Sequence, residues 1–164
     1  MHYGTLVEAA MNGDANETLL HILWGQNVRA KFDLGNGTWT TLLHLVAFKH
    51  QTEVAALLIA SGADVNAVDG QGTTPIYMPV VEGDKAMVKL LLEKGADPNA
   101  RERNRGDTLL HAAAVAGRLD VAELLIAHGA DATAKNAVGV PPLLVAVQSG
   151  HRAVAELIAK HAST

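Results

Sequence analysis

The chain repeats a short motif every 33 or 34 residues, and this periodicity restricts it to folds that are built from stacked units. GADVNA at residues 62–67 returns as GADPNA at 95–100 and as GADATA at 129–134. A more divergent copy, GQNVRA, occupies residues 25–30. Because one unit of this length cannot bury its apolar surface alone, several units have to stack on one another.

Two further landmarks recur in the same register. An apolar stretch typical of an amphipathic helix precedes Gly62, Gly95 and Gly129, for example DVAELLIAH before Gly129. Before each stretch lies a shorter segment: TLLHLVA at 41–47, TPIYMPV at 74–80, TLLHAAA at 108–114 and PPLLVAV at 141–147. Threonine suits a helix N-cap, and glycine suits the residue that follows a helix. The pattern therefore predicts two short helices per unit.

These landmarks, in this order, resemble the ankyrin repeat, which has a T-P-L-H opening, a small-residue helix, a Leu-rich second helix and a G-A-D-x-N-A turn. The resemblance extends over about residues 5–162. It implies an all-α solenoid of about five stacked helix-turn-helix units joined by β-hairpin-like fingers, in a single domain over residues 1–164. The units are expected at about residues 1–34, 35–67, 68–100, 101–134 and 135–164.

Composition and charge restrict the kinds of partner and the location that we expect for the protein. The formal net charge is -4, which provides no general attraction for nucleic acid or for anionic membranes. No apolar run approaches the ~20 residues that span a bilayer, and the first residues lack the regions of a signal peptide. We therefore expect a cytoplasmic protein that binds neither nucleic acid nor membranes. The absence of cysteine excludes disulfides and thiolate zinc sites.

The histidines do not form a catalytic pattern. His44 and His111 occupy a framework position at which the resemblance implies hydrogen bonding between turns, and Tyr77 and Leu144 stand there in other units. His128 and His161 lie on successive second helices, which pack roughly 8 to 10 Å apart, too far for a shared metal ion without special geometry.

The acidic residues and glycines also lack a catalytic arrangement. One aspartate recurs per turn, which favours local backbone hydrogen bonding rather than a converging acid and base. No motif of a serine hydrolase, zinc protease or phosphate-binding loop is found. We expect no enzyme activity, cofactor, metal or small-molecule substrate.

The resemblance implies protein recognition through the concave face and the fingers. Transferred to this chain, the concave ends of the first helices provide Phe48, Lys49, Val81, Glu82 and Val115. The expected state is a monomer that binds another protein. The alternative is a structural or self-associating scaffold that forms a homodimer, of the kind found among effector or toxin-neutralising proteins.

The finger between units 1 and 2 is unusually long. Its sequence KFDLGNGTWT, at residues 31–40, exceeds the equivalent VDGQGT at 68–73 by four residues. It carries Phe32, Leu34 and Trp39, with Phe48 expected near its base. Aromatic side chains of this kind dominate the binding energy of protein interfaces, and the competing interpretation is that Trp39 folds back over unit 1.

A second finger, ARERNRGD at 100–107, carries Arg101, Arg103 and Arg105. Alternation along an extended arm would place the three side chains on one side. This arrangement predicts a docking point for an acidic partner, and the competing interpretation is a solvated tip.

Local departures from the repeat give three more expectations. Pro79 falls inside the first helix of unit 3, where an interior proline costs about 3 kcal/mol. The terminal units should present polar outer surfaces, from Glu17, Thr18 and Gln26 in the first and from Arg152, Glu156 and Lys160 in the last. The resemblance also leaves open whether the turn residues Asn66 and Asn99 are hydroxylated.

Overall fold

The structure is a computed structural model that describes residues 5–33 and 38–163. Within these ranges the chain forms ten helices, and one two-stranded antiparallel hairpin pairs Lys31 with Thr41. In chain order the elements are α1 (Leu6–Met11), α2 (Ala15–Leu23), β1 (Lys31–Asp33), β2 (Trp39–Thr41), α3 (Leu42–Phe48), α4 (Thr52–Ala60), α5 (Tyr77–Glu82), α6 (Lys85–Glu93), α7 (Leu109–Ala116), α8 (Leu119–Ala127), α9 (Pro142–Gln148) and α10 (Arg152–Ala162).

Consecutive helices form five pairs that stack in one row. Each first helix packs on the first helix of the next pair, from α1 on α3 to α7 on α9, and each second helix packs on the next second helix. The core follows the repeat: Leu58, Leu91, Leu125 and Ile158 stand at equivalent positions and are all fully buried. The predicted all-α solenoid is confirmed.

One ladder of hydrogen bonds joins the units through the framework histidines. His44 Nε2 lies 3.0 Å from the carbonyl of Thr73, one unit further along, and His111 Nε2 lies 2.9 Å from the carbonyl of Val140. A carbonyl only accepts, so Nε2 carries the proton in both rings and Nδ1 is left to accept from the preceding threonine hydroxyl. Both histidines therefore have the expected structural role.

A second ladder joins the turns that follow the second helices. The Asn66 amide donates to the carbonyl of Gly95 at 2.9 Å, and Asn99 repeats this contact one unit further at 3.0 Å. In unit 1 the equivalent residue is Arg29, whose Nε donates to the carbonyl of Gly62 at 2.6 Å. The divergent first turn thus keeps the contact between units through a longer side chain.

Unit 3 departs from its neighbours at the start of its first helix. Helix α5 begins at Tyr77, two residues later than the equivalent starts of α3, α7 and α9. Pro79 is therefore the third helical residue, where a backbone N–H has no acceptor within the helix. The expectation that Pro79 carries the cost of an interior helix position is wrong, because α5 begins late and places the proline in its first turn.

The first cap also differs from the expectation. Thr18 is fully buried, and its hydroxyl donates to the carbonyl of Asp14 at 2.6 Å. The face of α2 that remains exposed carries leucines and Trp24 instead. The polar outer surface predicted for unit 1 is wrong at Thr18, whereas Arg152, Glu156 and Lys160 are exposed as expected.

The replacement of histidine by Tyr77 affects the threonine that begins the unit. Within the described residues, the buried Oγ1 of Thr74 has no hydrogen-bond partner, whereas the Thr108 hydroxyl lies 2.8 Å from His111 Nδ1. A buried polar group without a partner lowers stability, and its removal is neutral or favourable.

The two threonines should therefore respond oppositely to replacement by valine. We expect Thr108→Val to lower the free energy of unfolding by about 1 to 2 kcal/mol, and Thr74→Val to leave it unchanged or raise it. Urea denaturation followed by circular dichroism measures both. Equal destabilisation by the two substitutions would contradict the difference in hydrogen bonding.

Candidate functional site

A groove lies between α3 and α5 and is bordered by the fingers that precede these two helices. We call it the α3–α5 groove, and its volume is 370 Å³. Its walls are formed by Thr40, His44, Leu45, Phe48, Asp69, Gln71, Thr73, Thr74, Pro75, Tyr77 and Met78.

The helical wall of the groove is apolar and partly open to solvent. Phe48 and Met78 leave 46% and 36% of their surface exposed. Leu45 and Tyr77 lie deeper and pack against the core. At the position of Leu45 and Met78, unit 4 has the small Ala112. Large side chains on both helices thus give this junction an apolar surface of a size that suits one side chain of a partner.

The finger wall of the groove is polar and rigid. The Asp69 carboxylate accepts backbone N–H groups from Gln71 and Thr73, at 3.0 and 2.9 Å, together with the Thr73 hydroxyl at 3.1 Å. The tip of this finger is therefore held by its own side chains. A partner would meet a preformed polar edge beside the apolar wall.

Burial changes the pKa of two side chains in the groove wall, His44 and Tyr77. Burial lowers the pKa of His44, against the opposing influence of its bond to the Thr73 carbonyl and of the Asp69 charge. Burial raises the pKa of Tyr77, and the nearby carboxylates Glu102 and Asp107 raise it further. Near neutral pH the groove therefore presents a neutral imidazole and a neutral phenol.

In the long finger, the aromatic side chains Phe32 and Trp39 are only partly exposed. Phe32 is half-buried against the core and lines a cavity of unit 1 with Leu6 and Val7. The ring of Trp39 is half-buried below Lys31, whose Nζ lies 3.8 Å from the ring centroid. Leu34 lies outside the described residues. Phe32 therefore packs locally, while Trp39 keeps part of its surface available.

The base of the long finger does meet the groove. Thr40, in β2, and Phe48, at the end of α3, line it together. The next finger is attached to the hairpin by the backbone N–H of Gly70, which donates to the carbonyl of Trp39 at 2.7 Å. Phe48 thus lies near the base of the finger, as expected.

The arginine-bearing finger is a tight turn rather than an extended arm. Residues 103–105 form the turn, and the Glu102 carboxylate accepts the backbone N–H groups of Asn104 and Arg105. Burial raises the pKa of Glu102, but these and neighbouring N–H groups outweigh it and hold the pKa below its usual range. The predicted alternation of side chains along this segment is wrong.

The three arginines of this finger point to different neighbours. Arg101 donates to the carbonyl of Lys135, in the following finger, at 2.9 Å. Arg103 reaches back to the carbonyl of Gly70 at 3.4 Å, and Arg105 lies 3.7 Å from an oxygen of Asp107 in its own turn. Arg101 and Arg103 therefore connect successive fingers, and an acidic partner would have to compete with these contacts.

The remaining concave residues differ in their availability. Lys49 and Val115 are exposed, and Lys49 Nζ lies 6.0 Å from the centroid of the Phe48 ring. Val81 is packed against the core. Glu82 lies 3.5 Å from His50, whose other ring nitrogen lies 2.7 Å from Asp84. Phe48 therefore lines the groove with Lys49 next to it, whereas Val81 and Glu82 serve mainly internal contacts.

Several groove residues were missed by the sequence analysis. Met78, Leu45 and Tyr77 stand on the first helices, whereas the sequence pattern predicted binding surface only at the ends of these helices. A signal was present, because Leu45 and Met78 are large at a position where Ala112 is small.

The family model described as "Ankyrin repeats (3 copies)" matches residues 6–102 and 99–164. This chain belongs to the ankyrin-repeat family. Ankyrin repeats are generally protein–protein interaction modules and are typically not catalytic. Five ankyrin-type units therefore account for the helical pairs, the fingers and the hydrogen-bond ladders described above.

Relatives include proteins of different kinds. The chain is 32% identical to NF-kappa-B inhibitor alpha of Homo sapiens over 105 residues, which are 61% of this chain and 33% of that protein. It is 30% identical to the nuclear factor NF-kappa-B p105 subunit of Gallus gallus over 121 residues, 73% of this chain and 12% of that protein. It is 48% identical to the 2-5A-dependent ribonuclease of Mus musculus over 67 residues, 41% of this chain and 9% of that protein. The chain thus spans a third or less of these relatives.

Neither a membrane-spanning helix nor a metal site is found among the described residues. No described helix has the length and apolar character needed to cross a bilayer. In residues 5–33 and 38–163, no group of three or more histidine, aspartate or glutamate side chains is arranged to hold a metal ion.

The lowered pKa of His44 predicts a pH dependence of stability. The stability that His44 contributes is fully present above its pKa of about 6.5 in the unfolded chain. This stability is lost as the pH falls through the lower pKa of His44 in the folded protein. We expect the free energy of unfolding to decrease from pH 7.5 to 5.5, and less steeply in His44→Leu, the residue found at position 144. Denaturant titrations across this range measure the slopes, and equal slopes would contradict the prediction. Between about pH 7.5 and 8.5 the free energies of unfolding of the wild type and of His44→Leu should change equally with pH.

The backbone of His50 allows a second prediction. His50 has φ 59°, in the left-handed region, at the position that Gly83, Gly117 and Gly150 occupy in later units. A side chain in that conformation costs roughly 1 kcal/mol relative to glycine. We expect His50→Ala to be less stable than His50→Gly by about this amount in urea denaturation. An alanine variant as stable as the glycine variant would contradict the left-handed backbone.

Proposed function

We propose that this protein is a non-catalytic recognition module that binds another protein through the α3–α5 groove. The observation that carries the proposal is the exposed Phe48, beside Met78, at the mouth of a preformed groove of 370 Å³. Aromatic residues and methionine are enriched at protein interfaces and depleted on other surfaces.

The chemistry of the walls suggests how a partner is held. An apolar side chain of the partner would fill the space between Phe48 and Met78, while its backbone meets the polar edge at Asp69 and Gln71. The finger is fixed by its own hydrogen bonds, so little ordering entropy is lost on binding. Lys49, next to Phe48, would favour a partner with an acidic residue near the apolar one.

Other sequence-based expectations remain part of this proposal. The protein acts in the cytoplasm as a single domain, and each copy binds its partner through its own groove, without cofactor or small-molecule substrate. The formal charge of -4 supports a protein rather than nucleic acid as the partner. Trp39 and Val115 flank the groove contact as secondary contacts, and Arg101, Arg103 and Arg105 contribute orientation.

The groove is tested with the double variant Phe48→Ala, Met78→Ala. Proteins retained by the wild-type chain from cognate cell extract are identified by mass spectrometry, and the affinity of a purified candidate is measured by calorimetry. We expect the double variant to bind at least about tenfold more weakly, because buried apolar anchors dominate such interfaces.

Val138→Ala provides the matched control, since Val138 is an exposed apolar residue on the finger of unit 5. It should bind like the wild type. If the double variant has an unchanged circular dichroism spectrum and binds with the affinity of the wild type, the groove is not the binding site.

A further inference from the structure

The outer face of α2 carries an apolar ridge, which we call the α2 ridge, formed by Leu19, Leu20, Leu23 and Trp24. These side chains leave 39%, 48%, 71% and 62% of their surface exposed. Leu19 and Leu20 each lie three or four positions before Leu23, and Leu20 lies four before Trp24, the residue that caps α2. Residues at these spacings are neighbours on a helix surface, so the four form one surface. Contiguous exposed apolar surface of this kind typically marks an interaction site.

The ridge is specific to unit 1. At the position of Leu19 the later units have Ala56, Lys89, Glu123 and Glu156, and at the position of Leu23 they have Ala60, Glu93, Ala127 and Lys160. Later units thus carry alanine or charge on this side, including the ion pair between Lys89 and Glu93 at 3.8 Å. The repeat therefore does not require leucine at the positions of Leu19 and Leu23.

Leu20 belongs to a position that the chain elsewhere covers with another helix. Its equivalents are Leu57, Leu90, Leu124 and Leu157. Leu157 lines the junction between α10 and the preceding second helix, α8, together with Ile126 and Ala127. Leu20 is the same residue at the same position, yet no described helix covers it on that side. A surface that covers Leu20 in the same way is therefore the face of another second helix.

The ridge is also free of formal charge. Residues 19–26 contain no aspartate, glutamate, lysine or arginine. Buried His21 lies directly behind the ridge, with its ring centroid 5.5 Å from that of Trp24 in an edge-to-face arrangement. Two such ridges brought face to face would meet without repulsion between like charges.

We propose that the α2 ridge binds the α2 ridge of a second copy of this chain, forming a two-fold symmetric dimer. The contact continues the row of second helices by one member, since α2 already packs on α4 with its other side. In a two-fold contact the same leucines and tryptophan lie on both sides, so each apolar side chain faces an apolar one.

The width of the ridge favours this arrangement over end-to-end stacking of copies. Stacking in the manner of the repeat would cover Leu20, but it would leave Leu19 and Leu23 on the side where later units carry charge. A helix that crosses α2 over Leu20 and Leu23 covers the whole ridge. The dimer also leaves the α3–α5 groove, on other helices, available to a partner.

Sedimentation equilibrium of the 164-residue chain tests the dimer. From about 1 to about 200 µM the wild type should rise toward twice its mass of 17.2 kDa. We expect Leu23→Glu to weaken the association at least about tenfold, because the glutamate would be buried against apolar side chains. Val138→Glu, which adds the same charge at an exposed apolar residue outside the ridge, should dimerise like the wild type.

Cross-linking provides a second readout that does not depend on a disruptive substitution. The chain has no cysteine, so Leu23→Cys creates a single thiol. A short bis-maleimide should join two copies of Leu23→Cys and leave Val138→Cys uncoupled. A wild type that stays at 17.2 kDa at the highest concentration, or a dimer that Leu23→Glu does not weaken, would overturn the proposal.

Discussion

Burial of equivalent residues between neighbouring helical pairs is the constraint on which the whole molecule depends. Leu58, Leu91, Leu125 and Ile158 are fully buried at one position of the repeat, and each needs the adjacent unit to cover it. Because stability comes from these junctions, the framework residues cannot vary freely. The hydrogen bonds of His44 and Asn66 then satisfy carbonyls that the stacking would otherwise leave without a partner.

The groove arises where one junction departs from this framework. Unit 3 replaces the histidine by Tyr77, starts its helix late and leaves the Thr74 hydroxyl without a partner in the described chain. The same unit provides Met78 opposite Phe48, which makes the wall apolar. An array with redundant stacking interfaces tolerates such a local loss of stability, and binding surfaces in proteins commonly lie at departures of this kind.

The two surfaces proposed for binding differ in physical character. The α3–α5 groove is concave, has a polar edge and presents a neutral imidazole, which suits a partner that supplies both an apolar side chain and hydrogen bonds. The α2 ridge is convex and uncharged, and it suits an equally apolar surface.

The sequence by itself determined the repeat and the helix pairs, because residues at a fixed period share one environment. The structural role of His44 was implied by the resemblance to the ankyrin repeat. It did not determine the first turn of α5, the divergent directions of Arg101 and Arg103, or the burial of Thr18. Each of these depends on the particular neighbour that a side chain meets. Periodicity identifies equivalent positions, but only the tertiary structure decided which of them are covered by a neighbouring unit and which, like Leu20, remain open at the surface.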